Sequence, residues 1–392
     1  MAISITGGLT ITGGASITTG AGGSSSPSIQ GKWLVGMEGN DRNGQAYLYD
    51  LEGANSITIT ASDGEQGDRF AVEPQAVALT SSKILIGASG DDDNGADAGA
   101  VYLYDIDGTN ELKIKASDGT GTDRFGFSVA LSSSKIVVGA RYAGSNYTGW
   151  AYIYNIDGTN EIKVNLSPGG QYDQFGNAVG VNDSKFAVGA NNADRVNNIS
   201  GPGKVYVYDH NGTNRYIITH SDASNGDGFG EHLIMTDTKF LIGAPNKNSN
   251  QGAAYLFDID GTNEVKFSPP APYNTANRKF GNALAISSSK IAVGATGNGS
   301  NDSGYVFIFD HDGTHTATIA PANGVSNQYF GESVSLIGDK VYVGSGFLND
   351  TYESEGAIYI FDLDGSNETK ITPSGVTSND FRLGTCMATV AT

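Results

Sequence analysis

Tyr102-Leu-Tyr-Asp-Ile-Asp-Gly108 is one of seven copies of a single phrase, first met as Tyr47-Leu-Tyr-Asp-Leu-Glu-Gly53 and last as Phe361-Asp-Leu-Asp-Gly365. The closing glycines stand at 53, 108, 158, 212, 261, 313 and 365, so successive copies lie 55, 50, 54, 49, 52 and 52 residues apart. A period of this length marks a repeat architecture, in which no unit buries its apolar face alone. The 392 residues therefore read as one object of seven units, not as two or three domains.

The unit from 125 to 174 is the easiest to parse. Phe125-Gly-Phe-Ser-Val-Ala-Leu131 is followed by the polar break Ser132-Ser-Ser134, and then by the apolar run Lys135-Ile-Val-Val-Gly-Ala140. A continuous run of that kind is a strand buried on both faces. A loop over 141–149 leads to Trp150-Ala-Tyr-Ile-Tyr154, and Asn155-Ile-Asp-Gly158 supplies the chemistry of a tight hairpin. Glu161-Ile-Lys-Val164 alternates polar and apolar residues, as a half-exposed edge strand does. Four strands per copy with no helical periodicity predict a propeller blade.

The other copies align with it. The second strand recurs at Ile86-Gly-Ala88, Val188-Gly-Ala190, Ile242-Gly-Ala244, Val293-Gly-Ala295 and Val343-Gly-Ser345. The opening phenylalanine recurs at 70, 175, 229, 280, 330 and 381, with glycine after it at 175, 229, 280 and 330. The ring is expected to plug between blades while the glycine permits close backbone approach. Lys32-Trp-Leu-Val-Gly36 matches a second strand with no first strand before it, and residues 381–390 match a first strand with no second after it. Strand 381–390 is thus expected to join the blade begun at residue 32 and close a seven-bladed, all-β propeller over 32–392.

Phe-Gly followed by a downstream Gly-Ala-Pro-like triplet, complete only at Gly243-Ala-Pro245, resembles the FG-GAP repeat, the unit of the integrin alpha-subunit propeller. That resemblance implies the fold over 32–392. The integrin family carries Asp-rich calcium loops between first and second strands. Here those connections are Ser132-Ser-Ser134, Asn182-Asp-Ser184, Thr236-Asp-Thr238 and Ser287-Ser-Ser289, too short and too poor in carboxylates for that site.

Formal charge is −19, from 42 acidic and 23 basic side chains. Such a surface repels phosphate backbones and lacks the basic footprint of a nucleic-acid binder. No apolar stretch approaches a membrane span, and no charged n-region precedes an apolar h-region at the N-terminus. Cys386 is the one cysteine and sits in an apolar run, as a small core residue does. The five histidines show no metal spacing, and neither a Gly-x-Ser-x-Gly elbow nor a phosphate loop is present. The expectation is a non-enzymatic protein.

Function is expected on the face that carries the 2–3 and 4–1 connections. There the loops are long and variable, at 89–99, 141–149, 191–203, 245–252, 296–304 and 346–356, while the opposite face holds only short turns. Tyr142, Tyr147, Tyr172, Tyr273, Tyr329, Phe347 and Tyr352 fall on the loop face, where rings beside Asn and Asp suit a sugar. Asp91, Asp93, Asn94 and Asp97 could supply oxygens to calcium. The alternative is a solvated acidic loop, which the missing closing glutamate favours. The Asp105-Ile-Asp107 type pairs are assigned to turn chemistry.

Residues 1–31 stand apart as an arm. Three six-residue repeats carrying Ile3, Ile5, Leu9, Ile11 and Ile17 run into a Gly/Ser linker. Its apolar residues are too few for a core, so a disordered tail is one reading and pairing with another subunit or a sheet edge the other. The arm looks like the leaders on structural proteins of marine tailed bacteriophages, which implies a virion surface and assembly contacts through residues 1–20. The leading expectation is a virion-displayed adhesion protein whose loop face meets a host-surface glycan or a neighbouring protein. Alternatives are an extracellular lectin or adhesin, and then a polysaccharide-degrading enzyme on the same ring.

Overall fold

The computed structural model describes residues 32–389 apart from 40–42, 52, 54–55, 167–168, 196–198, 298–303, 324–327, 348–353 and 374–380. The arm residues Ile3, Ile5, Leu9, Ile11 and Ile17, and the loop residue Tyr352, lie outside the described residues. Seven four-stranded antiparallel sheets follow in order. Their first strands are Leu383–Thr389 for blade 1, then Val77–Leu79, Phe125–Leu131, Phe175–Val181, His232–Met235, Phe280–Ile286 and Ser333–Ile337 for blades 2 to 7. Each first strand packs beside the next, and that of blade 1 packs beside both Ser333–Ile337 and Val77–Leu79, so the ring is closed.

Closure occurs where the chain ends meet. Leu383–Thr389 pairs antiparallel with Lys32–Met37, with Trp33 opposite Thr389 and Val35 opposite Met387. The register differs by two residues from the sequence expectation, which placed Phe381 as the opening aromatic. Leu383 and Gly384 take the Phe-Gly positions, because Gly356 bridges Leu383 as Gly99 bridges Phe125. Phe381 packs at the periphery of the blade 7–blade 1 cluster instead.

The two repeated motifs have one cause. A Cβ on Gly139, the glycine of the second strand, would lie 2.0 Å from the carbonyl oxygen of Gly176 in the next blade. The same approach recurs at Gly36–Ala71, Gly87–Gly126, Gly189–Gly230, Gly243–Gly281, Gly294–Gly331 and Gly344–Gly384, at 2.0 to 2.2 Å. The residue supplying the carbonyl has positive φ in all seven blades, including Ala71 at 58°. The phenylalanine before it seals the interface. Phe125 packs with Leu85, Val101 and Leu103 of blade 2, and edge-on to Tyr152 and Tyr154 of its own blade at 5.3 and 6.2 Å. The core is thus seven clusters, each shared by neighbouring blades.

Polar contacts staple the same joints. Tyr102, Tyr152 and Tyr255 donate their hydroxyls to Asp63, Asp118 and Asp222 in the loops leaving the preceding blades, at 2.7 to 2.9 Å. On the short-turn face, Lys83, Lys185, Lys239 and Lys290 pair with Asp105, Asp209, Asp258 and Asp310 across the second and third strands at 2.5 to 2.7 Å. Asp107 accepts the Thr109 N–H at 3.0 Å. The repeated carboxylates therefore serve turns and cross-strand pairs, as the sequence suggested.

Blade 2 breaks the symmetry. Phe125 and Val129 are four residues apart, whereas their equivalents Phe70 and Val77 are seven apart. The extra chain enters the central channel: the Gln75 backbone bridges Ser128, and Gln75 Nε2 donates to the Glu231 carbonyl across the ring at 3.0 Å. Asn177 donates to the same carbonyl at 2.9 Å. Below this plug a cavity of about 150 Å³ is lined by one apolar side chain per blade: Val77, Val129, Val179, Leu233, Leu284, Val334 and Met387. Above it lies a chamber of about 270 Å³, with Pro74 bordering both.

Candidate functional site

Three of the loop-face aromatics expected from the sequence come together on blade 3. Tyr142 and Tyr147 sit at 5.4 Å, edge to face, and Tyr147 and Tyr172 at 5.5 Å with planes tilted by 33°. With Trp150, Thr120, Asp123 and Asn146 they line an open cleft of about 610 Å³. Tyr147 is 40% exposed, high for an aromatic side chain of a closed ring. Burial lifts the Asp123 carboxyl above its usual range against hydrogen bonds from Thr120. The cleft thus offers stacking surfaces next to polar groups, the composition of a small-ligand site.

Backbone hydrogen bonds hold it in shape. The Tyr172 N–H donates to the Asn146 carbonyl at 2.9 Å and the Phe175 N–H to Thr148 at 3.0 Å, zipping the 2–3 loop of blade 3 to the segment entering blade 4. Within the same zip the Gln174 N–H meets the Tyr147 carbonyl at 3.4 Å, and its equivalents join Arg124 to Asp97, Lys279 to Asn250 and Arg382 to Ser354. Each zip demands left-handed backbone. Asp97, Asn250 and Ser354 supply it with small polar side chains at φ 53° to 63°, whereas blade 3 places Tyr147 there at 56° and Tyr172 opposite it at 63°. Bulky residues are disfavoured in this region by roughly 1–3 kcal/mol. Blade 3 accepts that strain to present two rings.

The other aromatics go elsewhere. Tyr273 packs on Tyr305 and Phe307 at 4.7 and 5.4 Å, as part of the interface core. Tyr329 and Phe347 pair at 4.7 Å near the chamber above the plug, and the Arg382 guanidinium lies 4.4 Å over Phe347. In that chamber Arg382 is bound to Glu38 at 2.8 Å and Arg69 to Glu73 at 3.2 Å. Burial lifts Glu332 there to about 7, against the pull of the Gly346 N–H and then Arg382. The folded protein holds this proton more tightly than the unfolded chain does. Its contribution to stability is therefore full below the ordinary glutamate pKa of about 4.3 and lost as pH rises towards 7. Glu332→Gln should flatten the pH dependence of unfolding over that window, gaining on the order of 2 kcal/mol at neutral pH. Chemical denaturation at a series of pH values reads this directly, and an unchanged slope refutes the assignment.

The acidic loop of blade 2 already contains a cation. Lys113 Nζ lies 2.7 Å from Asp91, 2.8 Å from Asp93 and 2.8 Å from Asp63. Asp91 also accepts the Tyr102 hydroxyl at 3.0 Å, and Lys115 adds a second contact to Asp93 at 3.3 Å. Hydrogen bonds from Lys113 and then Lys115 hold Asp93 below the usual carboxylate range. Asn94 turns its amide to the Ala116 carbonyl, and the Asp97 N–H is held by Asp92. Of the oxygens proposed for calcium, those of Asp91 and Asp93 are engaged by lysine and backbone. Among the described residues, no group of three or more His, Cys, Asp or Glu side chains is placed to hold a metal ion, and no helix is long and apolar enough to cross a membrane.

Sequence reasoning missed the cleft's basic neighbours. Arg124 and Arg141 place their guanidinium carbons 5.1 and 4.5 Å from the Tyr142 ring centre, and Arg195 lies 4.8 Å from that of Tyr172. Arg141 adjoins Tyr142 in sequence, whereas Arg124 and Arg195 reach their rings only through the folding of the loops.

Comparison with known proteins gives one family match and a similar solved structure. The FG-GAP repeat family matches residues 55–104, 109–154, 159–208 and 314–361. The chain is similar to a solved structure described as "Crystal structure of Nidogen/Laminin Complex", at 11% identity and a TM-score of 0.44, over 92% of this chain and 98% of that one. No curated protein matches. FG-GAP propellers point to protein–protein or adhesion-type interaction. The chain thus carries FG-GAP repeats within blades that close into a seven-bladed β-propeller.

Proposed function

We propose that the chain is a non-enzymatic adhesion module, displayed at a virion surface through residues 1–20, whose blade 3 cleft binds a surface glycan. The observation that carries the glycan reading is the pair of left-handed tyrosines, Tyr147 and Tyr172, at positions where other blades hold Asp97, Asn250, Ser354 and Thr122. Strain stored at an exposed site supports use of that site. Sugar rings stack on tyrosine faces, and Asn146, Thr120 and Thr122 offer partners to hydroxyls. The arm's phage-like repeats support display on a particle, and that half of the proposal stands independently of the cleft.

Tyr147→Asn tests the cleft, because it restores the residue type found at Asn250. Stability should hold or rise by about 0.5–1 kcal/mol as left-handed strain is relieved. Binding on a glycan array should fall to background. A variant that keeps full binding, or one that loses stability, shows the ring to be structural.

A further inference from the structure

We infer that the chain cross-links itself: Lys279 and Asn246 join through an isopeptide bond, formed with loss of ammonia and assisted by Glu231. Asn246 lies in the 2–3 loop of blade 5 and Lys279 in the segment entering blade 6, so the bond ties two blades together. It is independent of the cleft and its ligand.

The three groups form one hydrogen-bonded chain. Lys279 Nζ donates to the side-chain oxygen of Asn246, and Asn246 Nδ2 donates to Glu231 Oε2 at 2.9 Å. The backbone that carries them is pinned. The Asn246 N–H donates to the Asp227 carbonyl at 3.1 Å, and the Lys279 N–H to Asn250 of the same loop at 2.8 Å. Gly228 leaves room beside the amide nitrogen, since a Cβ there would stand 2.6 Å from Asn246 Nδ2 and 2.9 Å from Glu231 Oε2. Burial raises the Glu231 carboxyl above its ordinary value, against the Lys279 charge and then hydrogen bonds from Asn191 and Asn246. The fold does not demand this combination. The corresponding places hold Tyr142, Gln174 and Phe127 between blades 3 and 4, and Asn192, Gly228 and Asn177 between blades 4 and 5.

An amine, a carboxamide and a carboxyl group in this order suffice for aminolysis. Glu231 takes a proton from the Lys279 ammonium and leaves a neutral, nucleophilic amine. Nζ attacks Asn246 Cγ, and the Nζ–Cγ bond forms as the Cγ–Nδ2 bond breaks. Glu231 gives its proton to Nδ2, its existing hydrogen-bond partner, so that nitrogen departs as ammonia. The surplus proton on Nζ then passes back to Glu231. One amine and one primary amide become one secondary amide and ammonia, with no change of oxidation state. A carboxyl lifted by burial serves both proton transfers better than an ordinary one. The pinned backbone supplies the proximity that an unactivated amide needs in order to react.

Tandem mass spectrometry on a tryptic digest of the folded full chain tests this. The expected product is a branched peptide joining the Asn246 and Lys279 segments, lighter than the two together by one ammonia and uncut after Lys279. Glu231→Gln should form the link about a hundred-fold more slowly. Lys279→Arg keeps the charge and a donor for the amide oxygen, and should not form it at all. Far-ultraviolet dichroism of both variants should match the parent, which separates lost chemistry from lost fold. A free Lys279 beside an intact Asn246 in the folded parent overturns the inference, whatever the variants do. Conversion of Asn246 to aspartate with Lys279 still free also overturns it, because water would then be the attacking group. A link that forms as fast in Glu231→Gln as in the parent overturns the role of Glu231.

Discussion

Gly139→Ala is expected to lower the unfolding free energy of the propeller by about 3 kcal/mol, although it adds one methyl group in a β-sheet. The added carbon would stand 2.0 Å from the Gly176 carbonyl oxygen and 2.3 Å from Ser128 Oγ. Neither can yield alone, since Ser128 donates its hydroxyl to that same carbonyl at 2.9 Å. Relief requires blades 3 and 4 to separate, which opens the cluster around Phe175, Val188 and Tyr206. Gly64→Ala is the control, because its added carbon meets nothing nearer than 3.4 Å. Urea titration of both variants should show a large shift in midpoint for the first and almost none for the second. Equal midpoints would mean that inter-blade spacing tolerates a side chain, and the physical account of the repeat would fail.

The second large effect concerns closure. Truncation before Leu383 should leave no soluble folded protein. The cut removes the innermost strand of blade 1, exposes the edge of Lys32–Met37, and uncovers Trp33, Val35 and Met37, all buried in the intact ring. An unpaired edge beside exposed apolar side chains is an aggregation template. Supplying residues 383–389 as a separate peptide during refolding should rescue solubility in part. Gel filtration and far-ultraviolet dichroism decide it. A truncated chain that elutes as a stable monomer with native dichroism would show the seven blades to be held by their lateral contacts alone.

Much of this was legible in the sequence, for a definite reason. A blade needs Asp-Gly hairpins and a glycine wherever the next blade's backbone touches, so Gly108 and Gly158, and Gly87 and Gly139, announce themselves at a fixed period. The exchange of strands between the chain ends was legible for the same reason. Its register was not. An aromatic residue invited alignment at Phe381, while the fold anchors on Gly384, whose carbonyl fits against Gly344. The candidate site was half legible. Tyr142, Tyr147 and Tyr172 fall in connections that must lie on one face, but their meeting depends on zips between loops of consecutive blades. Arg124 and Arg195 escaped because only the folded loops carry them to the tyrosines, and Arg141 because adjacency to Tyr142 does not by itself place its guanidinium over that ring. The lysine partner of the acidic loop was not legible, because Lys113 stands some twenty residues downstream on the outer strand.

The chain that fills the channel from blade 2 also gives the ring a tie-rod. Propellers resist twisting well, because every blade leans on two neighbours, yet an empty hub lets a circle flatten into an oval. Gln75 spans from blade 2 to the backbone of blade 5 at Glu231, and Asn177 of blade 4 fastens to the same oxygen. Three blades on different sides of the hub therefore share one knot. A load applied at the rim of blade 3, whose strand Phe125–Leu131 is itself bridged by Gln75, passes straight to the far side of the ring. For a module that meets its partner at one edge and is anchored elsewhere, such a cross-brace keeps the distance between grip and anchor constant under tension.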